Sequence, residues 1–211
     1  MPEVDRHDVL RLYDEGVDRF AAVAGRLQSP DDWDSPACGS WTAAELACHV
    51  LAVAGWYHTW LDRAERGDAS PTFDAGELAA QNATALAAFE DVPGSDAVTR
   101  FVDSAHAYRV RVSAAWDLPY GYPRGTVTAG LHAGVAACEW HLHTWDLARS
   151  RGLGHQPSDP EALFGAAGAC LARARGGVAG RATAALIPLG SRLGPWRALL
   201  RRSGRTPATG D

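Results

Sequence analysis

Residues 137–148 read ACEWHLHTWDLA, and the interpretation of the whole chain starts from this segment. Side chains four residues apart on an α-helix stand on one face about one turn apart, so Glu139 and His143 face the same way. His141 lies about 200° around the helix from both and cannot share that face. A carboxylate and an imidazole placed in this way can bind one metal ion. The segment therefore predicts a metal-binding helix, which we place at residues 127–150.

A third ligand is expected from a helix in the first third of the chain. Thr42-Ala-Ala-Glu45 fits a capping box, in which the threonine hydroxyl and the glutamate carboxylate satisfy free N–H groups of the first turn. We predict that this helix covers residues 42–66. His49 then lies about two turns inside it, among apolar neighbours.

Together, His49, Glu139 and His143 form a set of two imidazoles and one carboxylate. Three protein ligands with an open position are the pattern of a catalytic zinc site, whose bound water or substrate is activated. Sites of this composition also accept Ni²⁺, Fe²⁺ or Mn²⁺. The alternative is that His49 is a hydrogen-bonded core residue and that Glu139 and His143 are an ordinary helical pair.

The remainder of the chain is also predicted to be helical. Apolar residues recur at three- and four-residue steps, and no segment shows sustained period-two alternation, so no substantial sheet is expected. We predict further helices at residues 4–27, 75–90, 96–116, from 159 onward and at 195–202, with loops at 33–40 and 119–125. These elements predict an all-α protein: a four-helix bundle over residues 1–155 with a C-terminal helical extension over 156–211.

Composition limits the classes of partner. The formal net charge is −5 and all 20 cationic side chains are arginines, with no lysine. This balance argues against a nucleic acid or an anionic membrane as partner, and the arginines between residues 173 and 205 are interpreted as a solvated helical surface. The four cysteines form no C-x-x-C pair, and no signal peptide or membrane span is recognised, so a reducing cytoplasm is expected. Arginine without lysine is typical of a GC-rich genome, such as that of an actinomycete.

Other side chains are candidates for supporting roles. Asp146 follows His143 by three residues and could orient its imidazole, or it is a surface carboxylate. His132 is on the same stripe as Glu139 and could act as an acid or base, or it is a core histidine. Trp56, Tyr122 and Arg124 are candidates for lining the pocket and binding the cosubstrate or an anionic group.

Three segments resemble the mycothiol-dependent maleylpyruvate isomerase family of DinB-like, or YfiT-like, metalloenzymes. They are residues 33–49, which contain Gly-Ser-Trp41-Thr42 and end in His49; residues 139–148, which read Glu-x-x-x-His-x-Trp-Asp-Leu-Ala; and the Gly204-Arg-Thr-Pro207 tail. The resemblance implies a four-helix bundle with a divalent metal at one end, held by His49, Glu139 and His143. It also implies a low-molecular-weight thiol cosubstrate, mycothiol in actinobacteria, and an assembly that is often a homodimer.

Two departures from the family pattern argue against maleylpyruvate itself as the substrate. The chain after Gly154 is short for the further C-terminal domain that maleylpyruvate isomerases of this family carry. The family's catalytic arginine in the middle helices has no obvious counterpart, and Gln81-Asn82 occupies roughly that region.

Three functions are therefore weighed. The first is a metal-dependent enzyme that uses a thiol for S-transfer to, or isomerisation of, a small electrophile. The second is a thiol-independent metal-dependent hydrolase, isomerase or cyclase, for example in secondary metabolism. The third is a non-catalytic binding or stress-response protein. Thiol dependence of turnover separates the first two, and an unaffected His49→Ala variant would favour the third.

Overall fold

The computed structural model describes residues 4–74, 76–123, 125–175 and 194–207. The helices are α1 (Arg6–Ala24), α2 (Pro30–Asp34), α3 (Ala43–Glu65), α4 (Leu78–Ala87), α5 (Gly94–Ala114), α6 (Ala129–Ser150), α7 (Pro160–Arg175) and α8 (Pro195–Arg202). The strands form two antiparallel hairpins, β1 (Pro36–Cys38) with β2 (Trp41–Thr42), and β3 (Pro119–Tyr122) with β4 (Gly125–Thr128). The predicted all-α class is confirmed, since the described strands are confined to these short hairpins.

The four long helices α1, α3, α5 and α6 pack around a shared aromatic core. Helix α1 lies against α6 and α5, and α3 lies against α5 and α6. Tyr13 of α1 and Tyr57 of α3 both contact Trp140 of α6, with ring centroids 6.0 and 5.5 Å apart. Helices α1 and α6 approach closely at Gly16, where an added Cβ would lie 2.8 Å from the Cβ of Trp140. This packing places one face of α6 toward α3.

Helix α3 begins where the capping box predicts. The hydroxyl of Thr42 accepts a hydrogen bond from the backbone N–H of Glu45 over 3.2 Å, and the Glu45 carboxylate accepts one from the N–H of Thr42 over 2.8 Å. These two bonds satisfy donors that the first turn of a helix leaves free. The cap therefore holds His49 at a defined turn of α3.

Both predicted loops contain regular structure, and that part of the prediction is wrong. Residues 119–122 pair with 125–128, and the stretch 33–40 contains the end of α2 and all of β1. Four-residue strands rich in glycine and proline are too short for period-two alternation to become visible. The end of the predicted helix at 75–90 is also wrong, since α4 ends at Ala87.

The C-terminal helices pack on the bundle. Helix α7 contacts α6 and α1, and α8 contacts α7. The division at residue 155 stays a prediction, and the irregular tail expected after Gly176 lies outside the described residues as far as residue 193. In the described part of the chain, no helix combines the length and hydrophobicity that crossing a bilayer requires.

Candidate metal centre

The three predicted metal ligands lie together on one cavity. His49 extends from α3 toward His143 of α6, and the two ring centroids are 4.9 Å apart at 77°. Nε2 of His143 lies 3.4 Å from Oε2 of Glu139, one turn earlier on the same helix. All three side chains line a cavity of about 430 Å³. His141 lies on another side of α6, where its Nε2 donates to the carbonyl of Leu12 over 2.9 Å.

The imidazole of His49 is buried and incompletely bonded. It is 6% exposed, and its ring contacts Trp41 with centroids 4.6 Å apart. Within the described residues, its Nδ1 has no hydrogen-bond partner. Burial, followed by the charge of His143, lowers the pKa of His49 to about 3, which favours the neutral form. A neutral buried imidazole with an unpartnered nitrogen fits a metal ligand.

The imidazole of His143 lies between two carboxylates. Burial opposes its charge, but hydrogen bonds with Asp146, Cys38 and Glu139 outweigh that effect and raise the pKa of His143. Burial likewise opposes ionisation of Glu139, but the hydrogen bond from His143 and the nearby cationic groups lower the pKa of Glu139. The Glu139 side chain remains 38% exposed because it faces the cavity. An ionised carboxylate beside Nε2 is a suitable partner for a divalent cation.

Asp146 lies behind His143, away from the cavity. Nδ1 of His143 donates to Oδ2 of Asp146 over 3.1 Å, and Nε of Arg205 donates to Oδ1 over 2.8 Å. Burial opposes ionisation of Asp146, but these two partners lower its pKa to about 2. A carboxylate that accepts from Nδ1 leaves Nε2 on the Glu139 side, which is how carboxylates commonly orient metal-binding histidines.

Cys38, at the end of β1, is a neighbour that sequence reasoning did not identify. Ligand atoms of Cys38, His143 and Asp146 lie within 4.8 Å of one another, and among the described residues this is the set around His143 that meets this spacing for a shared metal ion. Both oxygens of Asp146 are already hydrogen-bonded to Arg205. We therefore regard the His49, Glu139 and His143 set as the better donor set.

Three of the other candidate residues line the same cavity: Trp56, Tyr122 and His132. His132 is 1% exposed and stacks on Tyr120, with centroids 4.5 Å apart. Burial lowers the pKa of His132 to about 3, so the ring is neutral near pH 7. Arg124 lies outside the described residues.

Arg205 and Asn82 also line the cavity, and no site role was predicted for either of them. The interpretation of the arginines between 173 and 205 as a solvated surface is wrong for Arg205, whose side chain is 15% exposed and paired with Asp146. The sequence feature that could have identified Arg205 is the Gly204-Arg-Thr-Pro207 tail. This tail resembles a family motif, but the resemblance assigns it no function. For Asn82 the sequence indicated only that it lies in the middle helices, roughly where the family has a catalytic arginine.

Comparisons with known proteins identify the family and the fold. The family model for the mycothiol maleylpyruvate isomerase N-terminal domain matches residues 13–148, which include all three candidate ligands. Among solved structures, a crystal structure of the mycothiol-dependent maleylpyruvate isomerase is similar, with a TM-score of 0.61 and 18% identity over 78% of this chain and 68% of that chain. A mutant of that enzyme with one histidine replaced by alanine matches at a TM-score of 0.55 and 17% identity, with the same coverage. A search of curated proteins found no match. At these identities the structural likeness establishes the fold.

Proposed function

The chain belongs to the mycothiol maleylpyruvate isomerase N-terminal domain family, a family of thiol-dependent isomerases, and on that premise we propose that it is a metal-dependent enzyme. Its reaction is S-transfer to, or isomerisation of, a small electrophilic molecule, with mycothiol as the cosubstrate. One observation carries the proposal: His49, Glu139 and His143 line one cavity of small-molecule size, and the buried Nδ1 of His49 has no partner among the described residues.

Under this proposal, His49, Glu139 and His143 hold the metal. Two imidazole nitrogens and one carboxylate oxygen favour zinc, and they also suit nickel, iron or manganese. A divalent metal bound there lowers the pKa of a thiol and stabilises its thiolate at neutral pH.

The surrounding side chains position the site. Asp146 accepts the Nδ1 hydrogen of His143 and so fixes its tautomer, while Arg205 holds Asp146 in place. Trp41 packs on His49 and restricts its rotation.

His132 is not assigned the role of acid or base under this proposal. With a pKa of about 3, its neutral ring is a poor acceptor for a thiol proton, because efficient proton transfer needs a pKa near the working pH. Tyr57, at an edge-on centroid distance of 4.8 Å, and the stacked Tyr120 hold this ring in the cavity wall. We therefore assign His132 to the shape of the cavity.

The test is thiol-dependent turnover by zinc-reconstituted protein. Mycothiol is supplied with maleylpyruvate and with a panel of enones and epoxides, and substrate loss is followed with and without the thiol. We expect turnover that requires thiol and disappears in His49→Ala. The control is His106→Ala, which removes a half-exposed histidine of α5 paired only loosely with Asp18. Turnover that does not need a thiol would contradict the thiol role, and an unaffected His49→Ala variant would contradict the metal site.

A further inference from the structure

Six aromatic side chains line the cavity beside the candidate ligands. We call this set the aromatic wall: Trp41, Trp56, Tyr57, Trp60, Phe73 and Tyr122. Trp60 is stacked with Phe73 at a centroid distance of 5.6 Å and 24°, and with Trp56 at 6.2 Å and 28°. The edge of Tyr122 meets Phe73 at 5.9 Å. Flat apolar faces around a cavity of about 430 Å³ provide stacking surface for a planar ligand.

The described lining has no cation left for an anionic ligand. Arg205 supplies the one guanidinium among these residues, and it is hydrogen-bonded to both oxygens of Asp146. Glu139 adds a second carboxylate. Two carboxylates, one guanidinium, a divalent metal and a bound thiolate sum to zero charge. An additional carboxylate in this cavity would have to give up its hydration without an ionic partner, which costs free energy.

Asn82 contributes an uncharged polar side chain to the cavity lining. Oδ1 of Asn82, on α4, is buried and has no hydrogen-bond partner among the described residues. A neutral amide can bond to a hydroxyl or an amide of a ligand, but it provides no charge for a carboxylate.

A second cavity extends the apolar surface. It has a volume of about 840 Å³, lies between α3, α4 and α5, and shares Trp56 and Trp60 with the first. Glu77 is the charged side chain among its described lining residues. The pair of Trp56 and Trp60 thus borders both cavities.

We propose that the electrophile is an uncharged aromatic molecule whose ring stacks on the Trp56 and Trp60 part of the aromatic wall. This inference rests on the proposed function, because it takes the reacting carbon to face the His49, Glu139 and His143 end of the cavity. It also sets this protein apart from relatives that act on a small dianion, since the described residues provide stacking surface and no free cation.

Binding of two unreactive ketones tests the proposal independently of turnover. The probes are 4-phenylbutan-2-one and its carboxylate analogue 4-(3-oxobutyl)benzoate, which lack the double bond that a thiolate would attack. Each is titrated by calorimetry into the zinc-loaded full chain in the presence of mycothiol, so that the site carries the charges counted above. We expect the uncharged ketone to bind at least about tenfold more tightly than the benzoate, a difference of about 1.4 kcal/mol. Trp56→Leu and Trp60→Leu should each weaken it by about tenfold.

The matched control is Trp116→Leu. Trp116 is also half-buried, but it packs on Arg6 and Gly130 and does not line either cavity. Tighter or equal binding of the benzoate, binding of neither ketone, or binding that neither tryptophan substitution changes would overturn the proposal. Tighter benzoate binding that is abolished by Arg124→Ala would also overturn the proposal, because it would assign a cation to the site. The expected ketone preference without any thiol-dependent turnover would support the ligand class and count against the proposed function.

Discussion

Nε of Arg205 donates a hydrogen bond to Oδ1 of Asp146 over 2.8 Å and thereby fastens the segment after α8 to the helix that carries Glu139 and His143. The two residues are 59 positions apart in the chain, and both side chains are largely buried. The contact links the C-terminal segment to the orientation of His143, because Asp146 also accepts from Nδ1 of that ring.

Replacing Arg205 is expected to destabilise the protein. Arg205→Ala leaves Oδ1 of the buried Asp146 carboxylate without its partner, while Oδ2 keeps its bond from His143. An unsatisfied buried polar atom costs about 1–3 kcal/mol. Urea unfolding of Arg205→Ala, Asp146→Asn and the double variant measures this cost and the coupling between the two residues. Additive effects of the two single substitutions would show that the pair is not coupled.

Asp146→Asn is expected to weaken metal binding. The amide accepts a weaker hydrogen bond from His143 than the carboxylate does, and loss of such an orienting partner commonly costs about 10- to 100-fold in metal affinity. Competition with a zinc chelator measures this affinity. Asp103→Asn, which changes an exposed carboxylate on α5, is the control. Equal zinc affinities in the two variants would show that Asp146 does not support metal binding.

The contact between α1 and α6 predicts opposite effects of two glycine substitutions. In Gly16→Ala the new Cβ would lie 2.8 Å from the Cβ of Trp140, and the resulting strain of about 1–3 kcal/mol outweighs the gain in helix propensity of about 1 kcal/mol. In Gly165→Ala, on α7, the new Cβ meets nothing within 4 Å, so that variant should be slightly stabilised. Urea unfolding compares them, and a stabilised Gly16→Ala variant would refute the close packing.

Acidification should destabilise the protein through a buried histidine pair. Nε2 of His141 donates to Leu12, so its Nδ1 accepts from Nε2 of His155 over 3.1 Å. Burial lowers the pKa of both rings; the neighbouring His141 lowers the pKa of His155 further, to about 3. Since the unfolded chain binds protons from about pH 6.5 downward and the folded chain does not, stability falls as the pH falls through this window.

Replacing His155 isolates that effect. Between pH 7 and pH 5 we expect the wild type to lose about 1–2 kcal/mol more stability than His155→Gln, which lacks the titrating group. Urea unfolding at the two pH values measures the difference. His106→Gln, at the half-exposed position on α5, should behave as the wild type does. An identical loss in the wild type and in His155→Gln would refute a role for the pair.

Local periodicity and the cap at Thr42 predicted the helical class and the position of His49, and the resemblance of three short segments predicted the family. The shared face of Glu139 and His143 could be predicted from their four-residue spacing alone, because both residues are on one helix. The cap at Thr42 is equally local, since its bonds join residues three apart. The family predicted from these segments is confirmed.

Local patterns could not predict contacts between residues that are far apart in the sequence. Arg205 reaches α6 from the far end of the chain, and no spacing rule connects it with Asp146. Cys38 approaches His143 only because the short β1–β2 hairpin precedes the cap of α3. Asn82 faces the cavity from α4, a helix none of whose residues is fully buried, so its pattern carries little information about orientation.

The metal content of the purified, tag-free protein shows whether His49, Glu139 and His143 hold a metal ion. Elemental mass spectrometry is applied to the wild type, His49→Ala, Glu139→Ala and the control His106→Ala, before and after incubation with zinc and desalting. The account predicts about one metal per chain in the wild type and the control, and little in the other two variants. A wild type that retains no metal after incubation, or His49→Ala and Glu139→Ala variants that retain as much as the wild type, would contradict it.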